Sequence, residues 1–368
     1  MKIIELTNVD FSLRHFLLPL MGALRARGHE VVGVCAEGPL LNDVRADGFR
    51  IIPAPFARRV SPLAHVRAFF ALVELFRAEA PDMVHAHMPI SGFLARLAAR
   101  WAGVPRVAFT CHGFLFNHAE GGWPQRALSL GMEFLGGKAT DVFLTVSTEE
   151  AQDARRLRIA RNPVPVGNGR NPALFRPDPA VRARLRGALG TPPERVVVLA
   201  VSRLVARKGY RELAAAMQEV PDAELWVVGD RLESDRGEDM VAMLRSARLG
   251  ERLHLLGYRS DVAAVMAAAD IFALPSYFEG LPMSVIEAML TGLPVVATNI
   301  RGPREQVVPD VTGLLVKPRD SAGLAVALRR LAADTALRAA MGEAGRARAL
   351  ELYDEAKVLE RTIEALGV

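Results

Sequence analysis

Short apolar runs rich in β-formers alternate with stretches of helical periodicity along the whole chain. In the first half the strand-like runs are Lys2–Leu6, Glu30–Cys35, Met83–Ala86, Arg106–Cys111 and Asp141–Val146. Helical patterns lie between them over Arg14–Arg27, Pro62–Glu79 and Gly92–Trp101. The second half restarts the alternation with Arg195–Val201, Glu224–Val228, Leu253–Leu256, Ile271–Leu274, Val295–Thr298 and Leu314–Val316. This is the pattern of α/β units on parallel sheets. Between the halves, Arg161–Pro179 holds five prolines with several Asn and Gly, and reads as a linker. The expected architecture is two doubly wound domains, 1–165 and 166–353, facing a central cleft. A last helix, 354–366, is expected to return to the first domain. Ligands of such sheets sit at the carboxyl ends of the strands, so chemistry is sought there.

Composition narrows the picture. The chain has 368 residues, 51% of them apolar, enough for two cores. Cys35 and Cys111 both fall in apolar strand-like runs and read as buried thiols of a reducing compartment. Met1–Leu6 enters a strand at once, without a signal-peptide pattern, and no apolar run approaches a membrane helix. The expectation is a cytoplasmic protein whose membrane contact is at most peripheral, at the inner face. The net charge of +5 is carried almost wholly by Arg. Such Arg faces are either simply solvated or attract phosphate-bearing substrates and anionic lipid. The cations are scattered without interleaved aromatics, so a nucleic-acid partner is not expected.

The most informative stretch is Leu274–Gly292. A strand ends at Pro275, and a loop carries Glu279 and Gly280. Pro282 suits the first turn of a helix expected to stop at Gly292. The amides of Gly280, Leu281, Met283 and Ser284 would then form an anion site suited to phosphate. Glu279 at its mouth and Glu287 two turns in fit sugar hydroxyls. Taken alone, the stretch is equally consistent with a capping Glu279 and a surface Glu287.

Other strand ends carry candidate groups. After the first strand comes Val9-Asp10-Phe11-Ser12, in which Ser12 is a plausible N-cap. His85 and His87 follow each other at i, i+2, and His112-Gly113 closes a further strand. The adjacent glycine allows a ligand close to His112. His85 and His87 have a metal-pair spacing, but the sequence shows no further ligand beside them, and no metal is expected. In the second half, Arg203 and Lys208 follow a strand, where two cations can neutralise a diphosphate without a metal. Val228-Gly229-Asp230 and Gly257-Tyr258 end strands and suit a nucleotide pocket. The aromatic stripe Phe69, Phe70, Leu72, Val73, Phe76 reads as core, with a membrane-facing patch as the lesser reading.

No Asp-x-Asp pair, Walker phosphate loop or Gly-x-Gly-x-x-Gly fingerprint is present, which excludes carboxylate-pair metal transferases, P-loop ATPases and NAD enzymes.

The ordered set Ser202-Arg203-Leu204, Lys208-Gly209 and Glu279-x7-Glu287 resembles the retaining glycosyltransferases of family four, with the GT-B fold of two Rossmann-like domains. Asn168-Gly169, Val228-Gly229-Asp230, the run from Ala268 to Ser276, and Gly292–Ala297 support it in the same order. The resemblance implies roles at matching positions. Arg203 and Lys208 would bind the donor diphosphate, Glu287 the ribose and Glu279 the transferred sugar. His112 would lie near the reacting centre, with Gly280, Leu281, Pro282 and Met283 at the sugar and phosphate. Gly229 would line the nucleotide pocket and Tyr258 would lie by the base. It further implies a nucleotide-sugar substrate, no cofactor or metal, and front-face attack with retention. The chain departs from the family in its first loop and in Arg170-Asn171, where Val-Asp is common. Its first half looks most like bacterial capsule, exopolysaccharide and lipid-linked oligosaccharide enzymes. A glycan or polyprenyl-diphosphate acceptor is therefore expected. A UDP-sugar 2-epimerase and a transferase to a small soluble acceptor are the alternatives.

Overall fold

The alternation of apolar runs and amphipathic stretches produces two parallel sheets, one in each of two units. The computed structural model describes every residue except 57–61, 118–121, 232–234 and 236. The units are Met1–Gly167 with Val358–Val368, and Asn168–Lys357.

The first unit holds β1 (Lys2–Leu6), β2 (Glu30–Cys35), β3 (Arg50–Pro53), β4 (Met83–His87), β5 (Arg106–Cys111), β6 (Val142–Thr145) and β7 (Val164–Pro165). Their order is β3-β2-β1-β4-β5-β6-β7, all parallel. Both faces are covered, so successive residues of β1 enter different cores. Ile3 packs with Leu13 and Met21, while Ile4 and Leu6 pack with Val32 and Phe76. Ile363 and Leu366, on the helix Glu355–Leu366, belong to the Ile3 core. Both cysteines are free and buried, and burial is the main force that pushes the Cys35 thiol up to about 12.

Three local expectations need correction. The edge strands β3 and β7 were not apparent in the pattern. β3 is exposed at both ends, and β7 lies in the proline-rich stretch, where Pro165 is tolerated because an edge needs no N–H there. The first helix begins at Asp10, not Arg14. Val9 is its N-cap, and Ser12 is buried within the first turn and caps nothing. The helix then passes through a π-helical turn, Leu13–Leu17, before Leu18–Ala26. The aromatic stripe divides: Leu72, Val73 and Phe76 are buried, whereas Phe70 is exposed.

The second unit holds β8 (Val196–Val201), β9 (Ala223–Val228), β10 (Leu253–Leu255), β11 (Ile271–Leu274), β12 (Val295–Thr298) and β13 (Gly313–Val316), in the order β10-β9-β8-β11-β12-β13. The sequence pattern locates all six. Strand order reverses between β1 and β4 in one sheet and between β8 and β11 in the other. Ligands of open α/β sheets bind at such switch points.

Candidate active site

In the second unit, β8 and β11 lie side by side at the switch point. After β8 the chain forms a 3-10 turn, Ala206–Lys208, and Gly209 (φ 74°) opens the helix Tyr210–Gln218. A Cβ on Gly209 would fall 2.0 Å from the Pro275 carbonyl oxygen, so the β8 and β11 loops meet backbone to backbone. That approach lets Lys208 Nζ donate to Glu279 Oε1 at 2.6 Å, with both side chains largely buried. Arg203 pairs instead with Asp235 at 2.8 Å. Burial, followed by repulsion from Arg207, lowers the Arg203 pKa, a strain that a bound anion would relieve.

The helix Met283–Leu290 ends at Thr291, followed by Gly292 (φ 81°). Pro282 is its N-cap rather than a first-turn residue, and no side chain caps it. The preceding loop is held through its carbonyls. Asn168 Nδ2 donates to Leu281 O at 2.7 Å and Gln306 Nε2 to Pro282 O at 3.0 Å. The amides of Gly280, Leu281, Met283 and Ser284 have no acceptor among the described residues. Uncapped amides at a helix start are the ordinary physical basis of an anion site.

Glu287 is buried and accepts from Arg170 Nε at 2.6 Å. Burial raises its pKa, and Arg170 works against the rise. The residue that departs from the family pattern thus neutralises the carboxylate expected at the ribose. Gly229 (φ 137°) donates to Gly257 O at 2.9 Å, and its Cβ would fall 1.9 Å from Ser202 O, so only glycine fits. The ring of Tyr258, next to Gly257, is exposed. Of the groups expected from sequence, the second unit therefore joins Lys208 to Glu279 directly. It places Gly280–Met283 next to them in the chain and gives Arg203 and Glu287 separate partners.

His112 belongs to the first unit, at the end of β5, where it closes a chain of buried hydrogen bonds. Thr110 Oγ1 lies 2.8 Å from His85 Nε2, and His85 Nδ1 lies 3.0 Å from Glu5 Oε1. Glu5 Oε2 lies 2.9 Å from His87 Nε2, and His87 Nδ1 lies 3.1 Å from His112 Nε2. Parallel pairing creates the cluster, because Glu5 is the β1 partner of His85, and His87 the β4 partner of Thr110. Sequence reasoning missed Glu5, which sits 80 residues from His85 inside an apolar strand. It also supplies the third oxygen or nitrogen that the His85–His87 spacing lacked, since Glu5, His85 and His87 offer atoms within 4.8 Å of one another. Those atoms are already spent on hydrogen bonds to one another.

Burial raises the Glu5 pKa, but attraction to His85 and hydrogen bonds from both histidines outweigh it and bring it to about 2. Burial, helped by repulsion from neighbouring imidazoles, lowers His87 to about 4 and His112 to about 3. Both histidines thus fold neutral, and below about pH 6.5 the unfolded chain binds more protons than the native one. Stability is full above that pH and falls as pH drops through 4 and 3, where protonation of Glu5 adds loss of the same sign. Denaturant titrations between pH 7 and 4 are expected to show uptake of about two protons on unfolding of the first unit, and His87→Phe to remove about one.

No helix among the described residues is long and apolar enough to cross a membrane. Comparison with known proteins agrees with the two-unit layout. Glycosyl transferases group 1 matches residues 181–348, and the Glycosyl transferase 4-like domain matches residues 13–169. The UDP-Gal:alpha-D-GlcNAc-diphosphoundecaprenol alpha-1,3-galactosyltransferase of Escherichia coli is 30% identical over 83% of this chain and 80% of its own. The N,N'-diacetylbacillosaminyl-diphospho-undecaprenol alpha-1,3-N-acetylgalactosaminyltransferase of Campylobacter jejuni is 26% identical over 99% of this chain and 98% of its own. Among solved structures, Anabaena HepE in complex with UDP aligns with a TM-score of 0.85 at 22% identity, covering 100% of both chains. Sucrose-phosphate synthase from Thermosynechococcus elongatus aligns with a TM-score of 0.84 at 23% identity, covering 99% of this chain and 98% of its own. Both likenesses establish the GT-B fold.

Proposed function

The chain belongs to the group 1 glycosyltransferases, and from that premise we propose that it moves a sugar from a UDP-sugar to a polyprenyl-diphosphate-linked glycan, with retention and without a metal. The observation that carries this reading is the set of unaccepted amides at Gly280–Ser284 adjoining the Lys208–Glu279 pair. Breaking a glycosyl–phosphate bond puts negative charge on the departing diphosphate. Lys208, Arg203 and those amides supply positive charge fixed in advance, the form of stabilisation that counts most in a transition state. A cation on the substrate is then not needed. Glu279, oriented by Lys208, accepts from hydroxyls of the transferred sugar. Glu287, sharing its charge with Arg170, takes the ribose, and Tyr258 lies by the base. The family resemblance carries His112 to the transferred sugar. Retention follows from front-face attack, with the leaving phosphate taking the acceptor's proton.

The acceptor class rests on the names of the Escherichia coli and Campylobacter jejuni relatives, both of which act on undecaprenol-linked diphosphates. The test is an incubation of UDP-hexoses and UDP-N-acetylhexosamines with an undecaprenyl-diphosphate monosaccharide, in EDTA. Transfer with an α-linkage by NMR is the expected result. A rate abolished by EDTA and restored by Mn2+ would remove the metal-free reading, and a β-product the retaining one.

Exposed apolar side chains on the first unit support contact with a bilayer. Leu63, Val66 and Phe70 share one stripe of Pro62–Glu79, and Trp123, Leu128 and Leu135 stand out from Trp123–Lys138. Arg67 and Lys138 add charge suited to anionic lipid. Replacing Leu63, Phe70 and Trp123 together by Ser is expected to weaken binding to phosphatidylglycerol vesicles by about tenfold or more per side chain withdrawn. Turnover of a water-soluble acceptor analogue is expected to stay at its original rate.

A further inference from the structure

The buried chain Glu5–His87–His112 has a direction, set by the donors and acceptors available at each link. An ionised carboxylate only accepts, so His87 Nε2 must carry the proton that meets Glu5 Oε2 at 2.9 Å. A neutral His87 then has a bare Nδ1, which can only accept. His112 Nε2, 3.1 Å away, must therefore be protonated and donate. In a neutral His112 the proton is then used up, and Nδ1 is left as a lone pair. No group among the described residues hydrogen-bonds to that Nδ1. The second carboxylate oxygen is tied off by His85, itself braced by Thr110, so the carboxylate cannot rotate away. Glu5 and His85 are fully buried and His87 nearly so, and water does not compete for these bonds. The depressed pKa values of Glu5, His87 and His112 agree with the charge states used.

We propose that Glu5 and His87 are positioning residues that lock His112 in its Nε2–H tautomer, so that its Nδ1 is presented as a hydrogen-bond acceptor to a hydroxyl of the transferred sugar. The proposal rests on the reading of His112 as a donor-sugar residue. It turns an unspecific histidine into a group that requires a hydroxyl hydrogen and rejects a ligand atom that only accepts. It also explains a carboxylate placed deep in the sheet, well away from the candidate diphosphate groups in sequence. Its task is to set the polarity of a ring two links away, as second-layer carboxylates do for other histidines.

Three measurements test it. First, 15N-histidine-labelled enzyme at pH 7 is expected to show His87 and His112 as Nε2–H tautomers by long-range 1H–15N correlation. A protonated Nδ1 on neutral His112 would overturn the proposal without reference to any variant. Second, UDP-sugars carrying fluorine in place of one hydroxyl are compared with the matching deoxy-sugars. At the hydroxyl facing His112, fluorine is expected to lower kcat as much as hydrogen does, on the order of 10–100-fold. Retention of rate by fluorine at every position would mean that His112 donates. Third, His87→Phe is expected to lower kcat about tenfold or more with acceptor KM unchanged, yet to cost less than twofold in a His112→Ala background. Additive losses would overturn the coupling. If His112→Ala alone leaves turnover intact, the donor-sugar reading of His112 fails, a result distinct from failure of the relay.

Discussion

Lys208→Ala is expected to reduce kcat for sugar transfer on the order of 10²–10³-fold, as the loss of one preorganised charge at a leaving group does elsewhere. On the proposed reading the side chain has two tasks. It lies in the 3-10 turn that follows β8, and it neutralises Glu279 at 2.6 Å. On the proposed reading, removing it takes away a charge that offsets the departing diphosphate. It also leaves a largely buried carboxylate unpaired, with like charge facing the proposed phosphate site. The two consequences separate in a double variant. Lys208→Ala with Glu279→Gln keeps an amide that hydrogen-bonds to sugar hydroxyls and removes the repulsion, so it should recover several-fold over Lys208→Ala. Lys208→Arg keeps the charge but replaces a point ammonium by a planar fork, and should recover only part of the rate. Steady-state kinetics on purified variants decide the matter. If Lys208→Ala stays within threefold of the original enzyme, Lys208 is merely the counter-ion of Glu279.

Gly302→Ala is expected to destabilise the second unit by about 3 kcal/mol, or roughly 6–12 °C in Tm, with donor binding lost in the same step. Gly302 has φ 82° and ψ −75°, a region that side chains avoid, and its Cβ would stand 1.8 Å from the Gly280 carbonyl oxygen. The obstacle is backbone, so no rotamer change relieves it. The Gly280–Pro282 loop must shift, and that loop carries two of the free amides, those of Gly280 and Leu281, of the proposed anion site. Gln306, four residues on, holds Pro282 O from the same short helix, Pro303–Gln306, so the displacement also disturbs that bond. Gly187→Ala in the same unit is the control. It lies in the helix Pro179–Leu189 with nothing within 4 Å of the new Cβ, and should be neutral or stabilising by up to about 1 kcal/mol. Differential scanning calorimetry with and without UDP checks both variants.

Much of this architecture is legible in the bare chain because fully buried parallel strands read as apolar runs. The inner strands β8, β9, β11 and β12 of the second sheet were recoverable for that reason, and its partly buried edges β10 and β13 kept short apolar runs that still marked them. The strands that escaped, β3 and β7, are edges, where one-sided burial and a proline blur the signal. The first helix shows how local chemistry misleads. Ser12 looks like a cap, but Asp10 lies nearer the strand and its carboxylate accepts from Phe11 and Leu40 amides, which starts the helix earlier. Lys208 and Glu279 could be picked out because each follows a strand that ends at a switch point. Arg170 and Glu287 lie 117 residues apart, and Glu5 and His87 lie 82 apart. No spacing rule joins them. They meet through strand pairing or packing, and a lone Glu in an apolar strand carries no local mark of its partners.

The helix Glu355–Leu366 has a consequence for synthesis. Ile363 and Leu366 fill part of the core around Ile3, Met83 and Ala108, yet they are made long after the rest of that unit. At 5–20 residues per second, roughly 10–40 s separate translation of Gly167 from that of Ile363. Throughout that interval the nascent first unit lacks two apolar plugs and exposes the surface they cover. The late helix therefore acts as a latch on the earliest part of the chain. A ribosome stalled before Ile363 would hold an unsealed first unit, a natural target for chaperones that bind exposed apolar surface.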